Sequence, residues 1–237
     1  MTRFLCTMAG FRKHLDTREG KLEVVRFIEG IRSQCGSAEE YASVCAKAEA
    51  ERPLDGAAIA KCFALLVPFM ERSRPGHDLG HFYRDFLAAL TIVGSDPMIR
   101  RAKYRCDVIA GLLAGSLHDC AVAVKARYAD NQWEAGHAEV GAWLVHELLQ
   151  EIVPPNQLAL VCYCIAAHTH SLKPISVTNP VSAESYERLP YDTELIYNPQ
   201  GSVVGLGPWI ARFADRLDTN GASHLARHLV AMADSVE

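Results

Sequence analysis

Apolar residues recur along this chain at three- and four-residue intervals, a spacing that leaves little room for anything but helices. Leu22, Val25, Phe27, Ile28 and Ile31 mark one amphipathic helix. Ser37-Ala38-Glu39-Glu40 reads as a helix start, because a Ser side chain can accept from the exposed N–H groups of a first turn. Asp55 likewise precedes an apolar run that continues through Phe69. Pro75-Gly76 breaks the chain, and the spacing then predicts a helix over about 77–93. A long helix follows from Asp96-Pro97 to about Val124, then one over about 134–152 that ends at Pro154-Pro155, then one reaching about His168. Between Ser171 and Pro208 the pattern fails, and Pro174, Pro180, Pro190 and Pro199 punctuate a long irregular loop. Loops of this length inside compact domains commonly serve as lids or specificity segments. A last helix from about Trp209 closes the domain. Few strand signals are present, so the expected class is all-α.

A chain of 237 residues with 49% apolar and 22% charged residues can bury a core without disulfides. We read residues 1–55 as a helical N-terminal extension packed on the core, and 56–237 as the main domain. The formal charge of −4 gives no electrostatic reason to expect a nucleic acid polymer or an anionic membrane. A local basic patch for a small phosphorylated ligand is compatible with it. No apolar run approaches the roughly 18–20 residues of a spanning helix. The opening MTRFLCTMAG is a poor signal peptide, so the expected location is cytoplasmic. The eight cysteines are scattered among apolar neighbours without CxxC knuckles, which points to buried free thiols.

The histidines carry the chemical signal. His77, His81, His118, His137, His168 and His170 each sit on, or at the end of, an expected core helix. One imidazole on an apolar helix is ordinarily a satisfied core or surface residue. Here successive helices each offer one, with acids among them. His118-Asp119 follows the apolar run Val108-Ile109-Ala110-Gly111-Leu112-Leu113. Burying an unpaired carboxylate there would cost several kcal/mol, and a metal cation is the simplest compensation. His77-Asp78-Leu79-Gly80-His81 places two histidines at i and i+4, on one helix face. Gly136-His137-Ala138-Glu139, Ala167-His168-Thr169-His170 and Ala214-Asp215-Arg216-Leu217-Asp218 complete the series.

The order H…HD…H…H…D resembles the HD superfamily of metal-dependent phosphohydrolases over about residues 76–220. The HxxxH segment is similar to the HNxxH of cyclic-nucleotide phosphodiesterases, with Asp78 in place of the Asn. There the first histidine is a general acid and the second a ligand. The HAEVGAWLV segment resembles the third-histidine helix of HD-GYP phosphodiesterases. That branch's HHE and GYP signatures are absent, however, as is its Lys three residues after the HD pair, so cyclic di-GMP is not the favoured substrate.

The resemblance implies an HD-domain helical bundle. It implies His81, His118, Asp119 and Asp215 on one metal, with Asp119 bridging to a second completed by His137 and His168. His170 is an alternative or additional ligand. Donors of this kind suit two divalent transition-metal ions (Fe, Mn, Zn, Ni or Co) better than Ca. The implied reaction is hydrolysis of a phosphomonoester or phosphodiester in a nucleotide or other small phosphorylated metabolite, by a metal-activated hydroxide. His77 would be the proton donor, and Arg84, Lys125 and Lys173 would contact phosphate, with Arg127 and Arg216 as further basic candidates. Asp78 and Asp218 would either orient ligand imidazoles or cap and pair at the surface. Two alternatives share the same residues: a di-iron HD oxygenase, and a regulatory HD module that binds a ligand without turnover.

Overall fold

The computed structural model describes residues 7–71, 77–125, 137–168, 176–178, 185–187 and 203–219. The chain is all-α apart from one short strand pair. Its helices are α1 (Met8–Leu15), α2 (Arg18–Cys35), α3 (Ala38–Ala50), α4 (Gly56–Met70), α5 (Leu79–Ser95), α6 (Arg105–Leu117), α7 (Cys120–Lys125), α8 (His137–Leu149), α9 (Pro155–Ala167) and α10 (Leu206–Thr219). A 3-10 turn, Ile99–Arg101, links α5 to α6. Between α9 and α10 in sequence, β1 (Ser176–Thr178) and β2 (Ser185–Glu187) pair antiparallel, while the rest of the loop expected over 171–208 lies, up to residue 202, outside the described residues.

Local chemistry accounts for the helix starts. Ser37 and Glu40 form a reciprocal capping box on α3, while Asp55 accepts from the Ala58 N–H at the head of α4. Asp78 accepts from the His81 N–H and starts α5, so this aspartate is a cap.

At the centre lie α6 and α9, whose buried faces run nearly all round. Residues Gln157 to Ala167 of α9 are buried without interruption. α6 packs on α5, α9 and α10, and α9 packs on α3, α8 and α10. The contact between α6 and α10 is backbone against backbone. A Cβ on Gly111 would lie 2.7 Å from the Gly207 Cα, and one on Gly207 would lie 2.7 Å from the Cys164 Sγ. Only glycine permits that approach.

Asp107 locks the same junction. Its buried carboxylate accepts from the Tyr41 hydroxyl (2.7 Å) and from the N–H groups of Gly205 (2.7 Å), Leu206 (2.9 Å) and Gly207 (2.8 Å). A carboxylate from α6 thereby caps α10, helped by the positive φ of 88° at Gly205. The lock matters for function because α10 carries Asp215 and Asp218.

Phe11, Leu15, Val24, Ile28, Tyr41 and Cys45 belong to one apolar cluster with Leu113, Trp143 and Leu160, so the N-terminal helices line the main core. The described cysteines, all but Cys6, are free and buried, and burial pushes the thiols of Cys35 to about 12 and Cys62 to about 11. Among the described residues no helix is long and apolar enough to cross a membrane.

Three boundaries differ from the sequence reading, and the first is the helix expected from Asp96-Pro97, which starts only at Arg105, after the Ile99–Arg101 turn. The long helix expected to reach Val124 is two helices, α6 and α7, separated by a turn at His118-Asp119. α10 begins at Leu206 rather than Trp209, because Asp107 supplies a cap from another helix that no local residue announces.

Candidate metal centre

The helix ends converge on one place. His77 precedes α5, His81 lies in its first turn, and His118-Asp119 form the α6–α7 turn. His137 opens α8, His168 caps the end of α9, and Asp215 and Asp218 sit on α10. The turn abuts α8 closely, since a Cβ on Gly141 would stand 2.9 Å from the His118 carbonyl oxygen.

Three imidazoles are held by their Nδ1 atoms. His81 donates to Asp218 Oδ2 at 2.6 Å, His118 to the Gly115 carbonyl at 3.0 Å, and His168 to the Ile165 carbonyl. Each bond turns Nε2, the usual metal-binding atom of such an arrangement, toward the interior of the cluster. His81 Nε2 lies 3.0 Å from Asp85 Oδ2 and 3.1 Å from Asp119 Oδ2. His118 Nε2 faces Asp119 Oδ2 at 3.7 Å, and Asp85 Oδ2 and Asp215 Oδ1 at 3.8 Å each. His168 Nε2 meets His137 Nε2 at 3.3 Å. Bonds of about 2.0–2.2 Å to a shared ion put donor atoms roughly 3–4 Å apart, so these spacings fit a cation.

Three overlapping groups have donor atoms within 4.8 Å of one another: His81, Asp85, His118 and Asp215; His77, His81 and Asp119; and His118, Asp119 and His168. These buried groups could hold a metal ion. The electrostatics ask for positive charge. At His81 burial opposes protonation, but Asp119 and Asp85 outweigh it and raise the imidazole to about 10. At His118 burial again opposes, and Asp119, Asp215 and Asp85 raise the group. Burial would lift Asp119, yet His118, His77 and His81 hold it well below the usual carboxylate range. His168 is held well below the ordinary imidazole value by burial and by its neighbours His118 and His137, so it stays neutral. A proton on His81 or His118 therefore stands where a cation can replace it.

The ligands implied by the sequence, His81, His118, Asp119, His137, His168 and Asp215, all lie at this centre. His77 joins them through its Nδ1–H, which donates to Asp119 Oδ2 at 2.6 Å. Arg84 is engaged by Asp218, with Nε 2.6 Å from Oδ1 and an Nη 3.2 Å from Oδ2. Asp218 thus orients His81, and burial is outweighed by Arg84 and His81, which pull its carboxyl down to about 2. Arg216 lies over the Phe213 ring. Lys125 is the last residue of α7. Lys173, Arg127 and His170 lie outside the described residues.

Asp85 is the residue the sequence reading passed over. It lies one turn beyond His81 on the same face of α5, so the i, i+4 spacing of His77 and His81 continues through it. Compared with protein-family models, with curated proteins and with solved structures, the chain matches none.

Proposed function

We propose that this chain is a metal-dependent phosphohydrolase acting on a nucleotide or another small phosphorylated metabolite, with two divalent transition-metal ions at the centre. The observation that carries this reading is the convergence of imidazole Nε2 atoms, fixed by outer hydrogen bonds, with carboxylates in a buried cluster that opens near His77 and His137. Histidine nitrogens in this number favour Fe, Mn, Zn, Ni or Co over Ca or Mg.

His81, His118, Asp119, Asp215, His137 and His168 would hold the ions. What a divalent cation supplies there is Lewis acidity, which makes a water more acidic and neutralises charge on a phosphoryl oxygen. The chain's own residues do the rest. Asp218 and the Gly115 and Ile165 carbonyls keep the imidazoles oriented, so little reorganisation accompanies the reaction. The buried walls exclude bulk water from the inner face of the cluster. As water oxygen bonds to phosphorus, losing its proton to solvent, and the bond to the leaving oxygen breaks, the Nε2–H of a protonated His77 would go to that leaving oxygen, Nδ1–H staying on Asp119. Its side chain is 26% exposed, against 0% for His81 and 2% for His118, so it is an imidazole that substrate can reach.

The test is turnover of purified, metal-loaded protein on bis-p-nitrophenyl phosphate, p-nitrophenyl phosphate and a nucleotide panel. Release of phosphate or nitrophenol that a chelator abolishes supports the reading. Protein that carries metal yet leaves every substrate intact contradicts it. Iron-loaded protein that consumes oxygen instead would assign the same donors to an oxygenase.

A further inference from the structure

We propose that the centre comprises a closed cation site and an open one, and that Asp85 is a ligand of the closed site. This inference rests on the metal-dependent reading above and says which donors hold which ion.

The closed site is His81, Asp85, His118 and Asp215, whose residues are 0%, 0%, 1% and 6% exposed. Asp85 is its unexplained member. Both carboxylate oxygens are buried without a hydrogen-bond donor. Asp107, an equally buried carboxylate, receives a hydroxyl and three backbone N–H groups. Asp85 has no comparable set of donors around it. What its Oδ2 faces instead is the Nε2 atoms of His81 and His118, both turned inward by bonds at Nδ1. A buried carboxylate whose close neighbours are only these two imidazole nitrogens is costly to keep charged. A divalent cation among these donors would balance the two carboxylate charges and satisfy both imidazoles.

His118 Nε2 can serve only one ion, since Nδ1 is committed to Gly115. With Asp85 and Asp215 both near it, the enclosed quartet is complete without Asp119. Asp119, His137 and His168 then remain for a second ion on the side where His77 and His137 are partly exposed. The closed ion would be retained and would set geometry, and the open ion would meet substrate.

Cobalt(II) and the full chain provide the test. Metal-stripped wild type is reloaded with Co(II), exposed briefly to EDTA, and its remaining cobalt counted. One slowly released ion per chain is expected, beside one that leaves quickly. Asp85→Asn keeps the side-chain shape; it should lose the slow ion, with affinity lower by more than about tenfold. A purely structural Asp85 would leave the cobalt count of this variant unchanged. Asp85→Cys adds a signal absent from wild type: a thiolate-to-cobalt charge-transfer band in the near ultraviolet. Retention of the slow ion by Asp85→Asn, or no such band from cobalt-loaded Asp85→Cys, overturns the assignment while leaving the metal-dependent reading in place. Wild type that binds no cobalt overturns both.

Discussion

Asp119 and His77 touch at 2.6 Å, yet their removal should have different consequences. Asp119 lies within donor distance of His81, His118 and His168, so Asp119→Ala should remove the open ion and activity together. His77 is the more exposed partner, and His77→Ala should slow turnover while elemental analysis shows metal unchanged. Loss of metal from that variant would make His77 a ligand and end its assignment as the acid. Asp218 acts one step further out, through His81 Nδ1. Asp218→Asn should weaken metal binding by about 10–100-fold in a Co(II) titration, the usual effect of removing a residue that orients a ligand imidazole. An unchanged titration would reduce Asp218 to a partner for Arg84. The convergence of His77, His81, His118 and Asp119 was legible in the sequence because successive helices each offer an imidazole, with acids among them. Asp85 was not, since Tyr83-Arg84-Asp85 reads as a charged outer face; only its distance to His118, on another helix, reveals the direction it takes. Arg84 was similarly ambiguous, because its engagement with Asp218 spans two helices distant in sequence.

At the scale of elements, the centre depends on junctions rather than on whole helices. The apolar run from Val108 onward contains no proline to stop it, and its periodicity alone predicts one continuous helix. The break at His118-Asp119 is a tertiary feature: α8 presses on the His118 carbonyl at Gly141, and Asp119 turns toward His77 and His81. That break lets two adjacent residues both face the cluster. The placement of α10 has a similar origin in the Asp107 lock. Tyr41→Phe removes one of its four donors, and should lower stability by about 1–3 kcal/mol, the cost of leaving a buried acceptor short of a partner. Denaturant unfolding measures it, and metal content should not change. Unaltered stability would show that the backbone N–H groups alone satisfy Asp107.

The described residues form a helical bundle in which the N-terminal helices, α6, α8 and α9 contribute to one apolar cluster. All-α organisation was readable from periodicity, and the Ser37 and Asp55 helix starts from residue type, because these are local properties. The short β1–β2 pair was not, since three-residue strands in a proline-rich stretch carry too little pattern. We propose that this bundle brings its helix ends together around metal. Elemental analysis of the whole native chain, purified without chelator, tests it most directly. Two transition-metal ions per chain are expected, falling to about one in Asp119→Ala. Protein that is properly folded but free of metal, and remains so after incubation with Mn, Fe, Co, Ni and Zn salts, would contradict it.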